Sequence, residues 1–190
     1  MGKEAKSVFN AEVSKGRLEF LFDGIFAIAM TILVLELKFP EKLQNSRSVH
    51  ELGTALLHNR RTFFSYVVSF IILSGFWIGH NRIYAKLKRV TWSILAIHFW
   101  LLAWAVFVPF CAHLIGRYPS NPLALLVYLA TTFAYIMGLL AVIITAEKQK
   151  LFDPAVPAGD VIKLRRGFIR PLIGMLFFAI YILLILPVLK

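Results

Sequence analysis

The sequence predicts an all-α integral membrane protein, a bundle of five visible transmembrane helices forming a single domain over residues 1–190. Hydrophobic residues make up 59% of the chain and charged residues only 16%, well below the roughly 25% charged of soluble domains. That much apolar surface does not fit inside one small soluble core. Five apolar runs, 18–37, 63–83, 91–115, 123–145 and 168–189, lie near the length of about 20 residues that a helix needs to cross a bilayer. None alternates with a period of two and paired turn residues are sparse, which argues against a β-barrel.

The first run carries Glu19 and Asp23 in its opening turns, and a carboxylate at the edge of a spanning helix needs a partner or a task. Ala27-Ile28-Ala29 offers a small-x-small tripeptide, but Met30 to Leu35 remain apolar after it. Signal peptides are cut after the apolar stretch, so a retained helix is expected. The polar connection 40–61 contains a candidate interfacial helix at 50–57, with Leu52, Leu56 and Ala55 on its apolar side. Gly75, Gly79, Gly138 and Gly174 fall inside later runs, where small residues allow close helix contact. Pro109 and Pro187 are expected to bend or end their helices, and 148–166 is the second long connection.

The formal net charge of +11 would suit nucleic acid, but the basic residues sit between apolar runs, as membrane topology arranges them. No nucleic-acid partner is expected. Lys3, Lys6, Lys15 and Arg17 precede the first run; Arg82, Lys86, Lys88 and Arg89 follow the second; Lys148, Lys150, Lys163, Arg165 and Arg166 follow the fourth. The intervening segments hold Arg117, the terminal Lys190, and Lys38, Lys42, Arg47, Arg60 and Arg61, the last group weakening the asymmetry. The positive-inside rule then gives a multi-pass cell-membrane protein with a cytoplasmic N-terminus. Cys111 is the only cysteine, so no intramolecular disulfide forms.

Enzyme signatures are absent: no Gly-rich phosphate loop, no His-x-x-x-His or cysteine pair for a metal, no nucleophile elbow. No cofactor is expected. On the first helix, a step of about 100° per residue puts Ile28, Thr31, Ile32 and Leu35 on one face and Ile25, Phe26 and Leu33 elsewhere. Facing water, that stripe would be an aliphatic constriction with one hydroxyl, and a narrow apolar neck gates ions by dewetting. By periodicity alone, ordinary helix packing is the more economical reading of the same residues. Arg17 and Asp23 lie about 120° apart around the helix and cannot pair directly, so each is expected to find partners elsewhere. One such group is Trp77, His80 and Asn81 at the end of the second run, with His80 a candidate partner for Asp23. His98 and His113 are expected only to pack or sit at the interface.

Arg17-Leu18-Glu19-Phe20-Leu21-Phe22-Asp23 followed by an apolar helix resembles the first helix of bacterial and archaeal members of the transmembrane protein 175 family of potassium channels. The family signature is Arg-x-x-x-Phe-Ser-Asp, and Trp77 with His80 resembles its Trp-x-x-His element. The resemblance implies a potassium-preferring cation channel, a homotetramer whose first helices line a central pore. It implies the narrowest ring at Ile28, a selectivity hydroxyl at Thr31, and further aliphatic rings at Ile32 and Leu35. Arg17, Asp23, Trp77, His80 and Asn81 become a network around the pore mouth, and monovalent cations the permeant species. Two departures stand out: Leu21-Phe22 replaces the Phe-Ser pair, and Ala27 has no hydroxyl, so selectivity would rest on Thr31. The family unit has six helices against five runs here; the sixth is either absent from this stretch or not visible as an apolar run. A small secondary transporter or a membrane scaffold is the alternative, although neither internal repeats nor broken helices are evident.

Overall fold

The computed structural model describes residues 14–37 and 48–185, and among these every regular element is helical. The order is α1 (Lys15–Leu35), α2 (Val49–His58), α3 (Arg60–Tyr84), α4 (Trp92–Arg117), α5 (Pro122–Lys148) and α6 (Ala158–Ile185). All but α2 are long and apolar enough to cross a membrane. Lys3, Lys6, Lys38, Lys42, Arg47, Pro187 and Lys190, and the predicted span beyond residue 185, lie outside the described residues.

Local chemistry sets the helix ends. Ser48 caps α2 by accepting from the Glu51 backbone N–H at 3.3 Å, the arrangement that Ser-x-x-Glu encodes. A helix is thus present at the predicted place; Ala55 is its buried residue, while Leu52 and Leu56 are exposed. Asn121 caps α5 through the Leu123 N–H at 2.9 Å, with Pro122 in the first turn, where a missing N–H costs nothing. After α5, Lys150 takes φ 51°, Lys150 N–H donates to Glu147 and Leu151 N–H to Ala146. This is a Schellman closure with lysine in the position that usually favours glycine. It turns the chain so that Leu151 is buried.

One expectation needs correction. The fifth span begins at Ala158, not near 168, so much of 148–166 is helix rather than connection. Hydropathy marks only the membrane-facing part of a helix, and Lys and Arg, good helix formers, extend it beyond; Asp160 in the first turn complements the helix dipole. Helix α4 runs through Pro109 to Arg117, in keeping with the predicted run 91–115.

Helix α5 is the centre of the bundle and α6 its edge: 56% of the apolar window of α5 is buried against 11% for α6. Gly138 makes the α4–α5 contact possible, since a Cβ there would stand 2.7 Å from Leu101. Interhelical hydrogen bonds fix the register, among them Tyr128 to Ser69 at 2.8 Å, Ser65 to the Ala112 carbonyl at 2.6 Å and Tyr135 to the Phe76 carbonyl at 3.2 Å. At the end of the bundle holding the α1 N-terminus, the α3–α4 and α5–α6 loops pair through a Leu87–Phe152 bridge. Lys15 ties α1 to that end by donating to the Leu87 carbonyl at 2.8 Å.

Candidate functional site

Helix α1 divides cleanly into two faces. Leu18, Phe22, Phe26, Ala29 and Leu33 are buried, and they pack on α3 and α4. Ile28, Thr31, Ile32 and Leu35 are exposed, Ile28 to 59% and Leu35 to 67%. The spacing of the buried residues follows one stripe of a 3.6-residue helix, so the opposite stripe is left without a partner inside the chain. Thr31 Oγ1 donates to the Ile28 carbonyl at 2.8 Å. Its proton is thereby directed into the helix, and the oxygen lone pairs remain for an outside donor or cation.

Asp23 is held by Trp77, whose Nε1–H donates to Oδ1 at 2.8 Å. That bond joins α1 to α3 at the rim of the exposed face. His80, one turn further along α3, does not reach Asp23. It is fully buried and its ring stacks on Phe22 at 3.4 Å between centroids, tilted by 9°, and on Tyr84 at 3.8 Å. Its Nε2 lies 3.4 Å from Nδ1 of His98, which is also 3.1 Å from the Tyr84 hydroxyl. His98 is therefore a member of this cluster rather than an isolated packing residue. Phe22 occupies the place where the family signature carries serine, and its aromatic face turns His80 into a packed core residue. Arg17 is exposed, and neither it nor the Asn81 side chain makes a hydrogen bond or ion pair with another described residue. The five residues expected as one network thus separate into an Asp23–Trp77 pair, a buried His80 cluster, and two side chains outside both.

The far end of α1 is fastened by a contact that sequence reasoning missed: Glu36 Oε2 pairs with His113 Nδ1 on α4. The signal was available. Glu36 is a carboxylate at the edge of a span, and the alternating topology puts the α4 C-terminus at the same level. Asp23–Trp77 near the middle of the helix and Glu36–His113 at its C-terminal end flank the stripe, which faces outward between them.

The Asp23–Trp77 bond gives a direct test. Asp23→Ala and Trp77→Phe are each expected to cost about 1 kcal/mol of thermal stability, as an exposed charge-assisted hydrogen bond does. The double variant should lose less than the sum. Strictly additive losses in denaturation midpoints would dissolve the pair as an energetic unit.

The model of a family described as the endosomal/lysosomal potassium channel TMEM175 matches residues 17–109. A potassium channel of Chryseobacterium sp. (strain P1-3) is 37% identical over 114 residues, 59% of this chain and 55% of that one. A potassium channel of Streptomyces collinus is 28% identical over 158 residues, 79% of this chain and 74% of that one. The chain therefore spans little more than half the length of the first of these relatives. The crystal structure of a lysosomal potassium-selective channel TMEM175 homolog from Chamaesiphon minutus superposes with a TM-score of 0.75 at 24% identity, covering 90% of this chain and 87% of that one. That last similarity is one of fold.

Proposed function

We propose that the chain, whose residues 17–109 match the TMEM175 family model, is a member of that family and forms a potassium-preferring cation channel in the cell membrane. One helix per subunit cannot enclose a pore, so several copies surround the ion path, and the family resemblance implies four. Helix α1 of each lines it, with Ile28 as the narrowest ring, Thr31 as the selectivity hydroxyl, and Ile32 and Leu35 as wider aliphatic rings. The N-terminus is cytoplasmic: Arg82, Lys86, Lys88, Arg89, Lys148 and Lys150 gather at the end where α1 begins.

The observation that carries the reading is the unpartnered stripe of Ile28, Thr31, Ile32 and Leu35 on a helix anchored by its opposite face. An aliphatic neck of this kind resists hydration, so conduction is limited by wetting. That relatives are named potassium channels supports reading this stripe as the lining of a lumen. Potassium flux into liposomes carrying the reconstituted protein tests the activity; no flux from a correctly assembled oligomer would reject it.

Selectivity is assigned to Thr31 because its hydroxyl is the only side-chain polar group on the stripe and its oxygen lone pairs are turned outward. Thr31→Val keeps the shape and deletes the oxygen. Reversal potentials under mixed potassium and sodium are expected to move toward no preference. Identical values in wild type and variant would remove Thr31 from the selectivity mechanism.

A further inference from the structure

Helices α3 and α6 run antiparallel past one another without closing, and a groove of about 990 Å³ lies between them. Along α3 it extends from Gly75 to Arg82, a length of about 10 Å, and on to Lys86 in the following loop. Along α6 it runs the opposite way, from Asp160 and Lys163 to Gly167 and Phe168. Both helices therefore place charge at the same end, the basic end of the bundle, and glycine or apolar side chains deeper in the span.

The groove is open because its walls lack side chains. A Cβ added at Gly75 or Gly167 would meet nothing within 4 Å, whereas one at Gly79 would already stand 3.2 Å from Leu139 and Phe168. The rim carries Arg82, Lys86 and Lys163 against the single acid Asp160, itself paired with Lys163 at 3.8 Å. Arg82 makes no hydrogen bond or ion pair with another described residue. A basic rim above an apolar slot at the level of the membrane surface has the two-part chemistry of a phospholipid: phosphate above, hydrocarbon below.

We propose that this groove binds an anionic phospholipid, its phosphate between Arg82 and Lys86 and one acyl chain along Gly75, Ile78 and Gly167. The site requires only that the protein sit in a bilayer, and it is independent of the channel reading.

Native mass spectrometry of the detergent-purified oligomer, supplied with phosphatidylglycerol or phosphatidylcholine, tests the site. The protein is expected to retain phosphatidylglycerol preferentially. Arg82→Gln and Lys86→Gln should each lower that retention about fivefold. Gly75→Leu, whose Cβ would meet nothing within 4 Å, puts bulk into the slot and should lower it as well. Arg89→Gln removes the same charge from an exposed position at the same end outside the groove, and it should leave retention unchanged. An equal loss in Arg89→Gln would replace the site by diffuse surface charge. Retention unaffected by Gly75→Leu would place the lipid elsewhere. Full competition by inorganic phosphate would make the ligand a free anion, and dissociation of the oligomer in Gly75→Leu would make the occupant a second copy. Either result overturns the proposal. Because the readout is bound lipid, loss of ion flux does not affect it.

Discussion

Liposomes carrying Ile28→Asn are expected to pass potassium at least about tenfold faster than wild type, the change produced when a barrier falls by about 1.4 kcal/mol. Ile28 is 59% exposed in the single subunit, so the substitution buries no new polar group within the chain and should leave the fold intact. What changes, on the proposed pore reading, is the lumen: a ring of amides offers hydrogen bonds to water where a ring of branched alkyl groups offers none, and the neck stays wet. Ile28→Val narrows nothing and keeps the ring apolar, so its flux should remain near that of wild type. Unchanged flux in Ile28→Asn, from an oligomer of normal size, would move the constriction away from this residue. Ile32, one turn further and 40% exposed, would be the next position to examine.

The face of α1 that carries this prediction was legible in the sequence because it rests on periodicity alone. Phe22, Phe26, Ala29 and Leu33 recur at helical spacing, and the stripe opposite them follows by geometry. Helix ends were less legible. The start of α6 at Ala158 lies ten positions before the apolar run because a solvated helical turn has no hydropathy signal. The Schellman turn at Lys150 was hidden because a lysine stands where glycine is the usual marker.

The candidate site shows the same division. That Asp23 would need a partner was clear from its depth in the run, but the identity of the partner depends on the rotation of α3. Trp77 and His80 are three positions apart, only about 60° around the helix and one turn along it, so a modest rotation of α3 decides which of the two meets Asp23. Hydropathy patterning of α3 does not decide between them, since its apolar residues surround it almost evenly. The packing does: His80 enters the core beside His98 and Tyr84, and Trp77 is left at the rim. Contacts between helices far apart in sequence, such as His80 with His98 or Glu36 with His113, follow from tertiary placement and have no local spacing to betray them.

Phe22→Ala is expected to be the most destabilising single change on α1, costing about 3–5 kcal/mol, as removal of a buried phenylalanine does. The side chain is fully buried and contacts three rings: His80 at 3.4 Å, Phe26 at 4.3 Å and His98 at 5.4 Å between centroids. Its loss opens a cavity where α1 meets α3 and α4, next to His80 Nδ1 and His98 Nε2, which have no hydrogen-bond partner among the described residues. Phe22→Leu keeps much of the volume and should lose less than half as much. Leu35→Ala, exposed to 67%, should shift the thermal midpoint little, because it empties no core. If the stripe lines a pore, the two substitutions then separate by readout: Phe22→Ala lowers oligomer yield and midpoint together, while Leu35→Ala alters flux from a stable oligomer. Equal midpoints for Phe22→Ala and wild type would show that the aromatic cluster does not anchor the helix. The outward orientation of Ile28 would then have to be set by the Asp23–Trp77 and Glu36–His113 contacts that flank it.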